Sequence, residues 1–220
     1  YNPKYLDKPI EKKYKILLII LLLVVIVGGG VFVYFTFFKT EPTVETPVNE
    51  VVVTNTIEEY GYNLEDRDTL LFEQLFEELK NLLNTEGYDT EEYVKLVSEL
   101  FIVDFFTIDN KLSRYDVGGT EYVYSGAVDS FKSVAEDSIY RTVENNLDGT
   151  RTQSLPEVAS VTVSEISEIT YTMPDESIVN GYRVALDWTY EEALGYDDSG
   201  VLIVIPDGEK MGVVFYKAKS

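Results

Sequence analysis

The sequence predicts an α+β domain held behind one membrane-spanning helix. Three observations carry that prediction: an uncharged run of 23 residues from Ile16 to Phe38, apolar residues at helical spacing between about residues 63 and 143, and a change to a period of two from Val158 onward. As a helix the first run reaches roughly 34 Å at ~1.5 Å per residue, enough to cross a hydrocarbon core of about 30 Å.

Basic residues orient that run. Residues 1–15 carry five lysines against Asp7 and Glu11, net +3, whereas the rest of the chain is net −24. Lysines close to a span mark its cytoplasmic end, so the N-terminus is expected in the cytoplasm and the domain outside the membrane. Lys13 and Lys15 flank one end of the run, and Tyr34, Phe37, Phe38 and Lys39 form the other interface. The first implied partner is therefore the lipid bilayer, through residues 16–38. A cleaved signal peptide is the rival reading, because a basic start, an apolar run and Gly28–Gly30 fit that pattern. Against it, the apolar run resumes at Val31 where a polar mature start belongs. The chain opens on Tyr1, as a piece of a longer reading frame would. Residues 39–59 mix Pro42, Pro47, Thr, Glu and Val without a helical period and read as an extended stalk, within which Val51–Val53 also fit a short strand. Residues 60–220 remain for the domain.

Composition removes several chemistries. The chain has no Cys and no His, which excludes a disulfide framework, a cysteine nucleophile, a Ser–His–Asp triad and zinc held by His or Cys. No G-x-S-x-G, S-x-x-K or G-x-G-x-x-G occurs, and no cofactor is implied. The acidic surplus opposes nucleic acid and favours cationic partners or plain solubility.

Helical patterning begins near Asn63, with Leu71, Phe72, Leu75, Phe76, Leu79, Leu82 and Leu83 three and four apart, and Gly87 ends it. Asp89, with Glu92 three residues on, fits the cap of a second helix. That helix runs to Phe106 with an apolar arc too wide for a surface helix, so it is expected to be buried. After a loop turning at Gly118-Gly119, with or without a short strand at Tyr122–Tyr124, a third helix places Val128, Phe131, Ala135, Ile139 and Val143 on one face. Val161, Val163, Ile169, Tyr171 and Met173 then share parity, and Ile166 breaks it, which marks a bulge or turn between Ser164 and Glu168. Tyr182, Val184, Leu186, Trp188 and Tyr190 alternate with polar residues. Met173-Pro174-Asp175 supplies a turn before them, and Asn180-Gly181 could itself close a hairpin. Val201–Ile205 and Met211–Tyr216, with short connections, complete about four antiparallel strands covered on one face by three helices.

Helices followed by antiparallel strands, behind one N-terminal span and a stalk, resemble the cone-shaped fold of the nuclear transport factor two superfamily. More narrowly, they resemble the bitopic assembly component of type IV secretion and conjugation machines. The resemblance covers about residues 60–217 and rests on element order. It implies a non-enzymatic scaffold that self-associates or touches other envelope proteins, while other superfamily members use the mouth of the cone as a pocket.

Four residues are candidates for lining such a pocket: Asp104, Tyr182, Trp188 and Tyr190. Asp104 lies within FIVDFF, where a carboxylate either has a raised pKa suited to acid–base work or takes a hydrogen bond from a neighbouring loop. Trp188, Tyr182 and Tyr190 either border a concavity or fill the core. Arg183, Asp187 and Glu191 read as a wet strand face, and Glu191-Glu192 and Asp197-Asp198 as solvated acids rather than a calcium loop. The leading expectation is an outward scaffold or interaction domain, and the alternative is a tethered domain for a small ligand.

Overall fold

The structure, a computed structural model, describes residues 50–219. The basic tail, the apolar run 16–38, residues 39–49 of the expected stalk and the interface residues Lys13, Lys15, Tyr34, Phe37, Phe38 and Lys39 lie outside the described residues. Among the described residues no helix is long and apolar enough to cross a membrane.

Residues 53–65 form a hairpin, β1 (Val53–Ile57) paired antiparallel with β2 (Tyr62–Glu65). Two expectations are corrected here. Buried Tyr62 and Leu64 alternate with half-buried Asn63 and Glu65, which is the period of a strand, so the first helix does not begin near Asn63. The hairpin also makes residues 53–59 part of the folded body rather than stalk. Tyrosines fasten it in place. The Tyr62 ring stacks on Tyr122 with centroids 5.0 Å apart, and its hydroxyl shares a 2.9 Å hydrogen bond with that of Tyr93.

Helix α1 (Leu70–Leu83) opens after Thr69, whose side-chain oxygen accepts the Phe72 N–H at 3.3 Å. Phe72, Leu75, Phe76 and Leu79 are its buried stripe. In α2 (Thr90–Phe106), the Asp89 carboxylate accepts the Glu91 N–H at 2.9 Å, while Glu92 pairs with Lys95 at 2.8 Å. Twelve of the 17 residues of α2 are buried, because the helix lies between α1 and the sheet and touches all four strands of it. The width of its apolar arc announced that position.

Helix α3 (Val128–Asp137) stops short of the expected Val143. The chain leaves the helix at Ser138, and the Tyr140 N–H bonds back to the Ala135 carbonyl at 3.0 Å. That turn swings Tyr140 into the core, where its hydroxyl donates to the Phe105 carbonyl at 2.8 Å and accepts the Gly118 N–H at 3.1 Å.

The sheet has the order β3 (Val158–Thr172), β4 (Ile178–Tyr190), β5 (Ser199–Asp207), β6 (Lys210–Ala218), all antiparallel. The break in parity at Ile166 is a bulge between Val163 and Glu165, not a turn. Asn180-Gly181 closes no hairpin. It lies within β4, where a Cβ on residue 181 would sit 2.6 Å from the Val204 carbonyl oxygen, so glycine admits β5. The domain is thus α+β, with three helices and a four-stranded antiparallel sheet.

Candidate functional site

The last turns of α2, residues 101–106, organise two unlike surroundings. Helical spacing sends Phe101 and Phe105 to one side and Asp104 to the adjacent one.

On the aromatic side, α2, α3 and β6 enclose a cleft of about 630 Å³. Phe101, Phe105 and Phe106 form its floor, Phe131 and Val134 come from α3, and Val213–Tyr216 form the β6 wall. The rings interlock: Phe131 lies 5.7 Å from Phe101 and 5.1 Å from Phe105, and Phe106 lies 5.6 Å from Tyr216. The rim is apolar and open at α3, where Val134 is 65% exposed. Polar groups in the wall are few. The Ser138 hydroxyl donates to the Val134 carbonyl at 2.6 Å, and the Tyr216 hydroxyl donates to the Asp197 carboxylate at 3.3 Å. Burial and the charge of Asp197 push the Tyr216 phenol above its ordinary range, so it stays neutral and donating.

On the other side Asp104 faces a polar cavity of about 120 Å³ between β2, the start of α1 and the loop 109–121. It accepts hydrogen bonds from the Lys111 ammonium and the Gly119 N–H, each at 2.5 Å. Lys111 is only 2% exposed. Arg67 pairs with Asp116 through both terminal guanidinium nitrogens and with Glu65 through Nε at 2.8 Å. Glu121 accepts the Asn63 N–H at 2.8 Å. Burial lifts Asp68 to about 6 even though it accepts the Glu65 N–H at 2.7 Å. Burial acts upward on Asp116 as well, but Arg67 and the Leu112 N–H outweigh it and hold this carboxyl below the ordinary value. These bonds tie the β1–β2 hairpin, the foot of α1 and the loop to the end of α2. Asp104 therefore takes its hydrogen bond from a neighbouring loop.

Trp188, Tyr190 and Tyr182 do not line this cleft. Trp188 is 3% exposed, lies 4.9 Å from Phe106, and donates its indole N–H to the Tyr190 hydroxyl at 2.9 Å. The Tyr190 hydroxyl donates in turn to the Asp197 carbonyl at 2.6 Å. The concavity expected beside Trp188 is thus filled core, and the open cleft lies toward the sheet edge, at Tyr216 of β6. Tyr182 lies apart from both, beside Met211 in a second open groove of about 530 Å³ near the start of α2. Arg183 pairs with Glu165 at 3.2 Å and Asp187 with Lys219 at 3.5 Å on the solvent side of the sheet. The cleft residues Phe131, Val134 and Tyr216 were missed. For the β6 wall the signal was the continuous run Val213–Tyr216, in which the alternation of a half-buried strand fails.

The chain matches no protein-family model, no curated protein and no solved structure.

Proposed function

We propose that the chain is a single-pass membrane protein whose residues 16–38 cross the bilayer and whose folded part, outside the cytoplasm, serves as an interaction module. The observation that carries this reading is the open apolar cleft between α3 and β6 on a strongly acidic body. An enclosed small-molecule site buries most of its ligand, whereas here Val134 projects from the rim into solvent, as at surfaces that receive another chain. The resemblance to the cone-shaped superfamily, and within it to the assembly component of secretion and conjugation machines, is supported by α2 crossing the sheet with α3 at its flank. That analogy concerns the fold and favours a scaffold over an enzyme.

A photocrosslinking amino acid at Val134, in the full chain in native membranes, tests the reading. A discrete heavier adduct is expected from Val134 and none from Thr189 on the far face of the sheet. Uncrosslinked monomer from both positions contradicts the proposal. The volume of the cleft also favours a second reading, a small apolar ligand held in the same place. In that case the adduct carries a lipid-sized or smaller mass rather than a protein.

A further inference from the structure

Strand β6 pairs with β5 on one side only. On its other side the chain itself lays Val123 parallel to Val213, and Tyr124 donates its N–H to the Val213 carbonyl at 2.9 Å. Gly212 makes room for that approach, since a Cβ there would fall 2.7 Å from the Tyr124 Cα. The added segment ends at once, because Ser125–Ala127 turns into α3. Past Val213 the edge continues without a backbone partner among the described residues. Lys219 donates its N–H to the Ser199 carbonyl at 3.0 Å. Alternation along the strand then points the backbone groups of Phe215 and Lys217 at β5, and those of Tyr216 and Ala218 at the open side. An unpaired edge thus runs beside an apolar cleft, and part of that edge already accepts an extended segment.

We propose that this edge and cleft bind an extended segment of a partner protein. The segment adds as a fifth strand along Tyr216–Ala218 and sets alternate apolar side chains against Phe105, Phe131 and Val134. The proposal rests on the interaction reading above and specifies its partner. Charge selects that partner further. Residues 50–219 hold 35 Asp and Glu against 12 Lys and Arg, Asp197 stands in the cleft wall, and Glu136 and Asp137 close α3. A strand flanked by Lys or Arg is attracted to this surface, whereas a second copy of the chain brings the same acidic surplus and is repelled.

The test uses the full chain in detergent and a labelled peptide alternating Val and Thr between terminal lysines. Two controls isolate backbone pairing: the same peptide N-methylated at alternate amides, and the Ala218→Pro chain, which lacks an N–H that the sheet does not use. Binding of the plain peptide, with affinity lower by about tenfold or more in each control, is expected from the loss of backbone hydrogen bonds. Equal binding of the plain and N-methylated peptides overturns strand addition. So does absence of peptide binding while the Val134 adduct persists in membranes, an outcome that leaves the interaction reading standing. A chain-to-chain adduct from a crosslinker at Val214 in the purified full chain overturns the proposal in favour of a second copy.

Discussion

One end of one helix serves two regions of opposite character. Around Asp104, side chains that water would hold strongly are drawn inward and satisfied by one another: Lys111, Arg67, Asp116 and the Gly119 N–H close a network that leaves little of it exposed. A few ångströms of helix surface away, Phe101 and Phe105 face a cleft whose apolar rim stays in solvent. Burying charges costs several kcal/mol per ion unless they are paired, and leaving apolar surface wet forgoes about 25 cal/mol per Å². The first region therefore contributes to holding the loop and hairpin in place. The second withholds stabilisation that a partner can supply. The difference predicts that substitutions in the first change folding and substitutions at the rim of the second change binding.

The largest effect is expected from Lys111→Met. Removing the ammonium leaves Asp104 facing the cavity without its cation, and a broken buried pair of this kind costs about 3 kcal/mol or more. Urea unfolding of the full chain should show that loss, with Val134 adducts falling only in proportion to the unfolded fraction.

A smaller, pH-dependent effect sharpens the contrast from the same helix. Glu99 is 6% exposed, and burial raises its pKa from 4.5 to about 7, with the charges of Glu92 and Glu78 adding to the rise and that of Lys95 opposing it. The folded state thus binds the proton more tightly than the unfolded chain. The stability this group contributes is complete below about pH 4.5 and is lost as pH rises through about 7. Glu99→Gln should stabilise the protein by on the order of 2 kcal/mol at pH 8 and by almost nothing at pH 4. A gain of the same size at both pH values would contradict the assignment to ionisation. Burial raises Asp68 in the polar cavity in the same direction, so the wild-type chain should lose stability between about pH 4 and 6 from that site too.

The smallest effect on folding belongs to the rim. Val134→Ser removes a side chain that is mostly in water already, so the unfolding midpoint should move by no more than about 0.5 kcal/mol in stability. Peptide binding should fall severalfold in the same variant. A large loss of stability there would mean that the cleft is core, and the comparison would fail.

These two regions were unequally legible in the sequence. The burial of α2 and the antiparallel order of β3 to β6 followed from period and turn residues, because each depends on neighbours in the chain. The β1–β2 hairpin escaped because Tyr62–Glu65 is only four residues long and leads directly into a strong helical pattern. The end of α3 escaped because Tyr140 leaves the helix for hydrogen bonds to Phe105 and Gly118, residues more than twenty positions away. Asp104 stood out by its apolar neighbours, but its partner Lys111 did not, since a lysine seven residues on reads as a surface charge. The cleft was hidden for the same reason, its walls coming from three separate elements. Trp188 drew attention with Tyr182 and Tyr190 on the apolar face of one strand, and its indole proved to be anchored in core.

Residue-resolved amide exchange on the full chain, with and without the basic Val/Thr peptide, tests the central claim most directly. The account predicts that the Tyr216 and Ala218 amides exchange freely in the unbound protein and become protected when peptide binds, while those of Phe215 and Lys217 are protected throughout. Protection of all four amides in the unbound protein, or unchanged exchange at Tyr216 and Ala218 with peptide bound, would contradict it.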